Sequence, residues 1–287
     1  MHTHAITTGD LDEQIRSTPG WQQHYQQMSP GVFQGHLRTL EVVGEVQVFE
    51  ERLNTRVEQH FAAPRGALVF SFDTAENALY LLDEQCENCW ITPPDYRELA
   101  VVFDAPFLAS HGLAPASLAR WRMAPLVSTQ ARVFSGWLGS TLRGDVAAFD
   151  DATLGRQLLE DCLFVLECSL PQATTAPRPL DRQLVNRIME VAASDPHAEF
   201  SAPQLANLAG VPLARMQQAF RAFTGLAPTQ WLRLRRLNMA RRDLMQARPA
   251  STTVAEVAMR WSFWHLGRFA GSYQALFGEL PSQTLAR

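Results

Sequence analysis

Residues 204–228 read QLANLAGVPLARMQQAFRAFTGLAP, and this stretch decides the fold of the last third of the chain. Leu205, Leu208, Val211, Met216 and Phe220 fall at the spacing of two short helices crossing over one apolar core. Ala209-Gly210 lets the two backbones approach, Gly225 stops the second helix, and Ser201 stands three residues before Gln204 at capping-box spacing. Helix, glycine turn, helix is the helix–turn–helix pattern, whose second helix can enter a DNA major groove about 12 Å wide. Thr253–Phe277 repeats it, with Val254, Val257, Ala258, Trp261, Phe263, Phe269, Tyr273 and Phe277 at core-like positions. Around these units the spacing predicts a helix over Leu184–Ala193 and a long one from Pro228 to about Gln246. A short helix from Thr253 to about Arg260 and a final one from about His265 to Phe277 complete the set.

Charge separates this third from the rest. The 287 residues carry a formal net charge of −4. Residues 1–180 hold 12 Arg against 22 Asp and Glu, a net of −10, whereas residues 181–287 hold 13 Arg against 7, a net of +6. Every basic residue is arginine. A basic end on an acidic body suits a polyanionic partner at that end. The sign changes at Pro171–Pro179, which has three prolines and no large apolar residue and reads as an extended connector. The expected division is therefore 1–170, a linker at 171–180, and 181–287.

Upstream of the connector the texture is first β, then helical. Gln34–Val43, Val46–Leu53, Arg56–Phe61, Ala67–Phe72, Ala78–Leu82 and Leu99–Phe103 are short Val-, Leu- and Phe-rich runs separated by turn residues. Such spacing predicts an antiparallel sandwich or barrel. Ala105–His111, Leu126–Leu142 and Leu154–Leu170 read as helices. Leu154, Leu158, Cys162, Val165 and Leu166 form a stripe that must bury against something, either the core or a second copy across a dimer seam. Trp90, Tyr96, Phe70, Phe72 and Phe103 could line a pocket, although alternating side chains of this kind usually form core. The first twenty residues are polar and read as mobile.

With 46% hydrophobic residues the chain can bury a real core, and no stretch approaches the length of a membrane span. Neither a secretory signal nor a disulfide scaffold is expected from Met1–His4 or from four cysteines, which points to a cytoplasmic setting. A β-barrel of this size could instead be a metal-dependent enzyme, but that needs several His and a carboxylate converging. His36 and His60 stand isolated, and Cys86 and Cys89, spaced for zinc or redox chemistry, have no second pair nearby. Neither a Gly-x-Ser-x-Gly nor a phosphate-binding glycine loop is present, so no enzymatic activity and no cofactor are expected.

Gln204–Pro228 and Val254–Pro281 resemble the two halves of the AraC/XylS DNA-binding domain, keeping Phe220, Gly225 and Pro228, the Arg-rich Trp231–Leu244, Phe263, Phe269, and Phe277-Gly278 before Pro281. Trp21–Leu37, Val46–Phe49 and Ala258–Leu285 are further similar to the ethanolamine operon regulator subgroup. The resemblance implies an α+β protein: an N-terminal antiparallel β-barrel of cupin-like form with packed helices, for effector sensing and dimerisation, then an all-α DNA-binding domain with two helix–turn–helix motifs. It implies a transcriptional activator that contacts promoter DNA and RNA polymerase, forms a homodimer, answers an unidentified small-molecule effector and does not use a membrane. By motif position, Ala214, Arg215, Gln217 and Gln218 would face bases from the first recognition helix, and His265, Leu266, Arg268 and Gly271 from the second. Arg233, Arg235, Arg236, Arg241 and Arg242 would meet phosphates or internal acids.

Overall fold

Side chains alternate along Val46–Leu53 and Tyr96–Phe103, and that alternation organises the first half of the chain. A computed structural model describes residues 2–42, 45–86, 88–144, 151–171, 179–195, 197–198, 200–249 and 251–287. Its strands are β1 (His2–Thr8), β2 (Gln22–Gln27), β3 (Gly35–Val42), β4 (Val46–Leu53), β5 (Val57–Ala62), β6 (Leu68–Asp73), β7 (Ala78–Asp83), β8 (Asn88–Ile91), β9 (Tyr96–Phe103), β10 (Leu126–Val127) and β11 (Leu170–Pro171). They form one antiparallel sheet in the order β1-β3-β4-β9-β6-β7-β10-β11 and a second in the order β2-β5-β8. In the large sheet β4 and β9 pair from Val46 opposite Phe103 to Leu53 opposite Tyr96.

One face of the large sheet packs on α2 (Ala105–Ser110), α3 (Thr129–Leu142) and α4 (Asp151–Cys168). Val46, Val48, Phe70, Phe72, Leu99, Val101 and Phe103 point to this side. The opposite face turns Phe49, Val69, Tyr80, Leu82, Ala100 and Val102 toward the small sheet. Burial of both faces explains why β6 and β7 read as continuous apolar runs rather than alternating ones.

The structure corrects several expectations. The sheet does not close into a cupin-like barrel: β1 and β11 lie at its two open ends, and β2, β5 and β8 pair among themselves as a separate layer. Residues near the N-terminus are ordered, β1 as an edge strand on β3 and α1 (Leu11–Arg16) with an Asp10 cap. Leu126 joins β10, and α3 starts only after Ser128, whose Oγ accepts from the Ala131 amide at 3.0 Å. The α4 stripe of Leu154, Leu158, Cys162, Val165 and Leu166 lies in the chain's own core, because α4 needs that face to cover the sheet. It is therefore not available as a dimer seam. What α3 and α4 leave outside is Val133, 66% exposed, and Phe164, 56% exposed, beside a surface hollow of about 450 Å³. Phe70, Phe72 and Phe103 likewise belong to the helix-side core, whereas Trp90 and Tyr96 lie toward the small sheet.

The expected connector lies outside the described residues from 172 to 178; its first residue, Pro171, ends β11, and Pro179 begins the next helix. The second half comprises α5 (Pro179–Ser194), α6 (Ala202–Leu208), α7 (Leu213–Thr224), α8 (Pro228–Gln246), α9 (Val254–Arg260), α10 (Leu266–Phe277) and α11 (Pro281–Leu285). Ser201 and Gln204 form the capping box of α6, and Thr253 and Glu256 that of α9. Gly225 and Gly278 end α7 and α10 in the left-handed region, at φ 70° and 75°, where a side chain would be strained. Among the described residues no helix is long and apolar enough to cross a membrane.

Candidate nucleic-acid interface

Two cores fix the geometry of the interface. Val185, Ile188, Leu205, Met216, Phe220 and Trp231 pack α5, α6, α7 and the start of α8 together. Leu237, Leu244, Val257, Trp261, Phe269, Tyr273 and Phe277 do the same for the rest of α8 with α9 and α10. A single helix, α8, thus belongs to both units and holds them as one body.

Helical spacing then dictates what faces outward. In α7, Met216, Ala219 and Phe220 point into the core, which leaves Ala214, Gln217 and Gln218 exposed. Neither glutamine makes a side-chain hydrogen bond among the described residues, so both amides stay free for a partner. Arg215 is different: it forms an ion pair with Asp181, a buried acid on α5. In α10, Phe269, Tyr273, Leu276 and Phe277 are buried, and His265, Leu266, Arg268 and Gly271 are exposed. A Cβ at Gly271 would meet nothing within 4 Å, so this part of the helix surface is flat and open to close approach.

Of the α8 arginines, Arg241 pairs with Glu279 at 3.2 Å, and Arg242 donates to the Tyr25 carbonyl at 3.0 Å. Arg233 donates to Ser272 Oγ at 2.5 Å, Arg235 lies over the Trp231 ring and Arg236 over Phe263. These side chains are thus engaged within the chain itself. Trp264, 68% exposed just before α10, is a candidate contact that the sequence reading missed. Its signal was an aromatic outside the apolar stripe, with no helix for it to cover.

The N-terminal half grips α8 directly. Asn238 Nδ2 donates to the Gln27 carbonyl at 2.8 Å, and its Oδ1 accepts from the Gln27 amide at 2.9 Å. Arg56 donates to the Thr224 carbonyl at 3.0 Å, at the end of the first recognition helix. The indole of Trp231, in the heart of the first unit, donates to the buried carboxylate of Glu58. Burial raises the pKa of Glu58, but hydrogen bonds and charge from His60, with help from Arg235 and Trp231, bring it below the usual carboxylate range. His24 nearby is pushed down to about 4 by burial and by Arg242, so it is neutral at pH 7.

Residues weighed for catalysis are scattered. His36 on β3 bonds Thr7 Oγ1 at 2.8 Å, and His60 on β5 bonds Glu58 at 2.7 Å, on different sheets. Cys86 is buried, its thiol pushed up to about 12 by that burial, which disfavours the reactive thiolate. The Cys89 side chain lies outside the described residues.

Comparison with known proteins places the second half in a class. Residues 205–287 match the family model described as "Helix-turn-helix domain", so the last third of the chain is a helix–turn–helix domain. It is similar to parts of several regulators. Over 109 residues it is 36% identical to the probable thc operon regulatory protein of Rhodococcus erythropolis, covering 38% of this chain and 33% of that protein. Over 100 residues it is 35% identical to the XylDLEGF operon transcriptional activator 2 of Pseudomonas putida, covering 35% of this chain and 64% of the activator. A solved structure, a probable AraC family transcriptional regulator from Rhodopseudomonas palustris CGA009, is 32% identical over 37% of this chain and 96% of its own, with a TM-score of 0.33. The last third is thus similar to the helix–turn–helix portions of operon regulators. The match spans a third of the first relative and just under two thirds of the second.

Proposed function

We propose that the chain is a sequence-specific transcriptional regulator that reads promoter DNA through two helix–turn–helix units set in successive major grooves. The observation that carries this reading is a pair of exposed recognition faces, on α7 and α10, held by one shared helix. Gln217 and Gln218 can each bond an adenine edge bidentately, and Arg268 can fork onto guanine. Ala214 and Leu266 suit thymine methyls, His265 sits at the start of the second recognition helix, and Gly271 allows the duplex backbone to come close. Arg215 must leave Asp181 to reach a base, so it reads DNA only at the cost of that pair.

Residues 1–170 then sense an effector and dimerise, 171–180 connect, and 181–287 bind DNA. Because the α4 stripe is used within the chain, a homodimer would form through the face around Val133 and Phe164. Activation is the direction named for the Pseudomonas putida relative; in this reading the chain activates through RNA polymerase, in the cytoplasm. Likeness to ethanolamine operon regulators, carried by Trp21–Leu37, Val46–Phe49 and Ala258–Leu285, does not extend to the residues between about 52 and 180, so no effector is transferred from it.

Selection of bound fragments from genomic DNA, followed by a salt titration on the selected duplex, tests the reading. A clear preference over random duplex, with affinity falling steeply as salt rises, is the expected result. Equal binding to selected and random duplex in low salt would overturn it.

A further inference from the structure

Of the chain's seven tryptophans, six are used within the fold. Trp21, Trp90 and Trp137 stand against other rings, and Trp121 carries the Arg120 guanidinium over its face. Trp231 donates to Glu58, and Trp261 donates to Asp243 at 3.0 Å. Trp264 is the exception. It is exposed, and among the described residues its ring meets no other ring or guanidinium and its indole N–H has no partner. Phe263, just before it, is anchored on Phe269 with ring centroids 5.0 Å apart. His265, just after it, is extended at φ −108° and ψ 93°. An extended residue places its two neighbours on the same side of the chain, here Trp264 and the exposed Leu266. An indole and an isobutyl group thus stand together in water at the head of α10, an apolar patch that a partner would cover.

The patch is continuous with the recognition face. Gly267 follows Leu266, and the exposed Arg268 follows Gly267. Gly267 and Gly271, four residues apart, share one face of the helix. Glycine is a poor helix former, and neither position needs it for the fold. Both lie outside the left-handed region, and a Cβ at either would meet nothing within 4 Å of the chain. A side chain there would obstruct only something approaching from outside. The leading end of a recognition helix is the end that meets base edges. In the major groove thymine alone presents a methyl group; the other bases present only donors and acceptors. Leu266 has no polar atom to offer on its side chain, and the indole has one donor. The head of α10 is therefore suited to methyls, whereas α7 presents the amides of Gln217 and Gln218.

We propose that Trp264 determines specificity: with Leu266 it forms an apolar clasp at the head of α10 that reads thymine methyl groups in the second half-site, while Gly267 and Gly271 let the duplex close on it. The two units then read DNA by different chemistry. The first uses hydrogen bonds to base edges, and the second uses apolar burial and fit. Burying a methyl group against a side chain releases no counterions, so this share of the affinity does not fall as salt rises, unlike any contact that Arg268 makes to phosphate. The proposal rests on the regulator reading above and adds what the second unit recognises.

Replacing thymine by deoxyuridine removes the methyl group and leaves every pairing atom in place, which tests the proposal on the selected duplex. The second half-site is the one whose protection Arg268→Ala weakens. Deoxyuridine throughout that half-site should weaken binding of the full chain about fourfold for each methyl contacted. Trp264→Ala should weaken binding to the thymine duplex by a similar factor and remove most of the sensitivity to deoxyuridine. It should keep the wild-type Tm and the wild-type slope of affinity against salt, and Trp264→Phe should keep the sensitivity. A second half-site without thymine, wild-type affinity unchanged by deoxyuridine, or undiminished sensitivity in Trp264→Ala would each overturn the proposal. So would a Trp264→Ala variant that binds DNA as the wild type does but no longer activates transcription by purified RNA polymerase, a result that gives the patch to a protein partner. Failure to select any duplex overturns the regulator reading as well, whereas a selected duplex indifferent to deoxyuridine overturns this proposal alone.

Discussion

Gln217→Ala isolates one base contact from the fold around it. The Gln217 side chain is exposed and makes no hydrogen bond among the described residues, so its removal forfeits nothing in the free protein. Surface substitutions of this kind change stability by less than about 0.5 kcal/mol. In the complex the amide would bond one adenine edge, and losing a good bidentate contact costs about 1–3 kcal/mol, roughly 5- to 150-fold in Kd. The assay is fluorescence anisotropy on the selected duplex and on the same duplex with that base pair exchanged. Wild type should discriminate between them and Gln217→Ala should not, while the two proteins bind scrambled DNA equally. Arg215→Ala is the informative contrast, because it also strands the buried Asp181 carboxylate and should lower stability. If Gln217→Ala weakened selected and scrambled DNA to the same degree, or neither, its assigned role would be wrong.

Other consequences follow from the packing. Asn238→Leu orphans the Gln27 amide and carbonyl, on a residue 0% exposed, and should cost about 1–3 kcal/mol for each group in urea unfolding; an unchanged midpoint would mean that the two halves do not depend on this link. Glu98 has its pKa raised in the fold to about 8 by burial and by Glu51, so its stabilising contribution is intact below the ordinary 4.5 and is lost as pH rises through about 8. Glu98→Gln should therefore melt above the wild type near pH 9, with the gap closing toward about pH 5, as followed by Tm against pH. Leu158→Asp should prevent folding rather than dimerisation, since Leu158 is buried within the chain, whereas Val133→Asp with Phe164→Asp should leave a folded chain that sediments as a monomer. Persistence of a folded dimer in that double variant would place the seam elsewhere.

Much of the second half was legible because its signals are local. Capping boxes at Ser201 and Thr253, and glycines at 225 and 278, mark helix ends with little help from tertiary structure. Strands β3 to β7 and β9 were legible from Val, Leu and Phe runs between turn residues. The glutamine strand β2 was not, because Gln26 and Gln27 are buried through hydrogen bonds, some to residues more than 200 positions away, rather than through apolarity. The α4 stripe announced that it must be covered but not by what, and only the sheet beneath it decides that. Exposure of Gln217, Gln218 and Arg268 could be read from helical phase. The capture of Arg215 by Asp181 could not, since it depends on how α5 crosses α7. Likewise, Glu51, Glu98 and Asp73 become a row only once the register of β4, β9 and β6 is known.

Hydroxyl-radical footprinting of the full chain on its selected duplex tests the central claim most directly. Two protected patches on one face of the DNA, centred about 10 base pairs apart, are predicted for each bound chain. Gln217→Ala with Gln218→Ala should remove one patch, and Arg268→Ala should weaken the other. A single patch, or protection that both sets of variants diminish alike, would contradict two independently reading units held on α8.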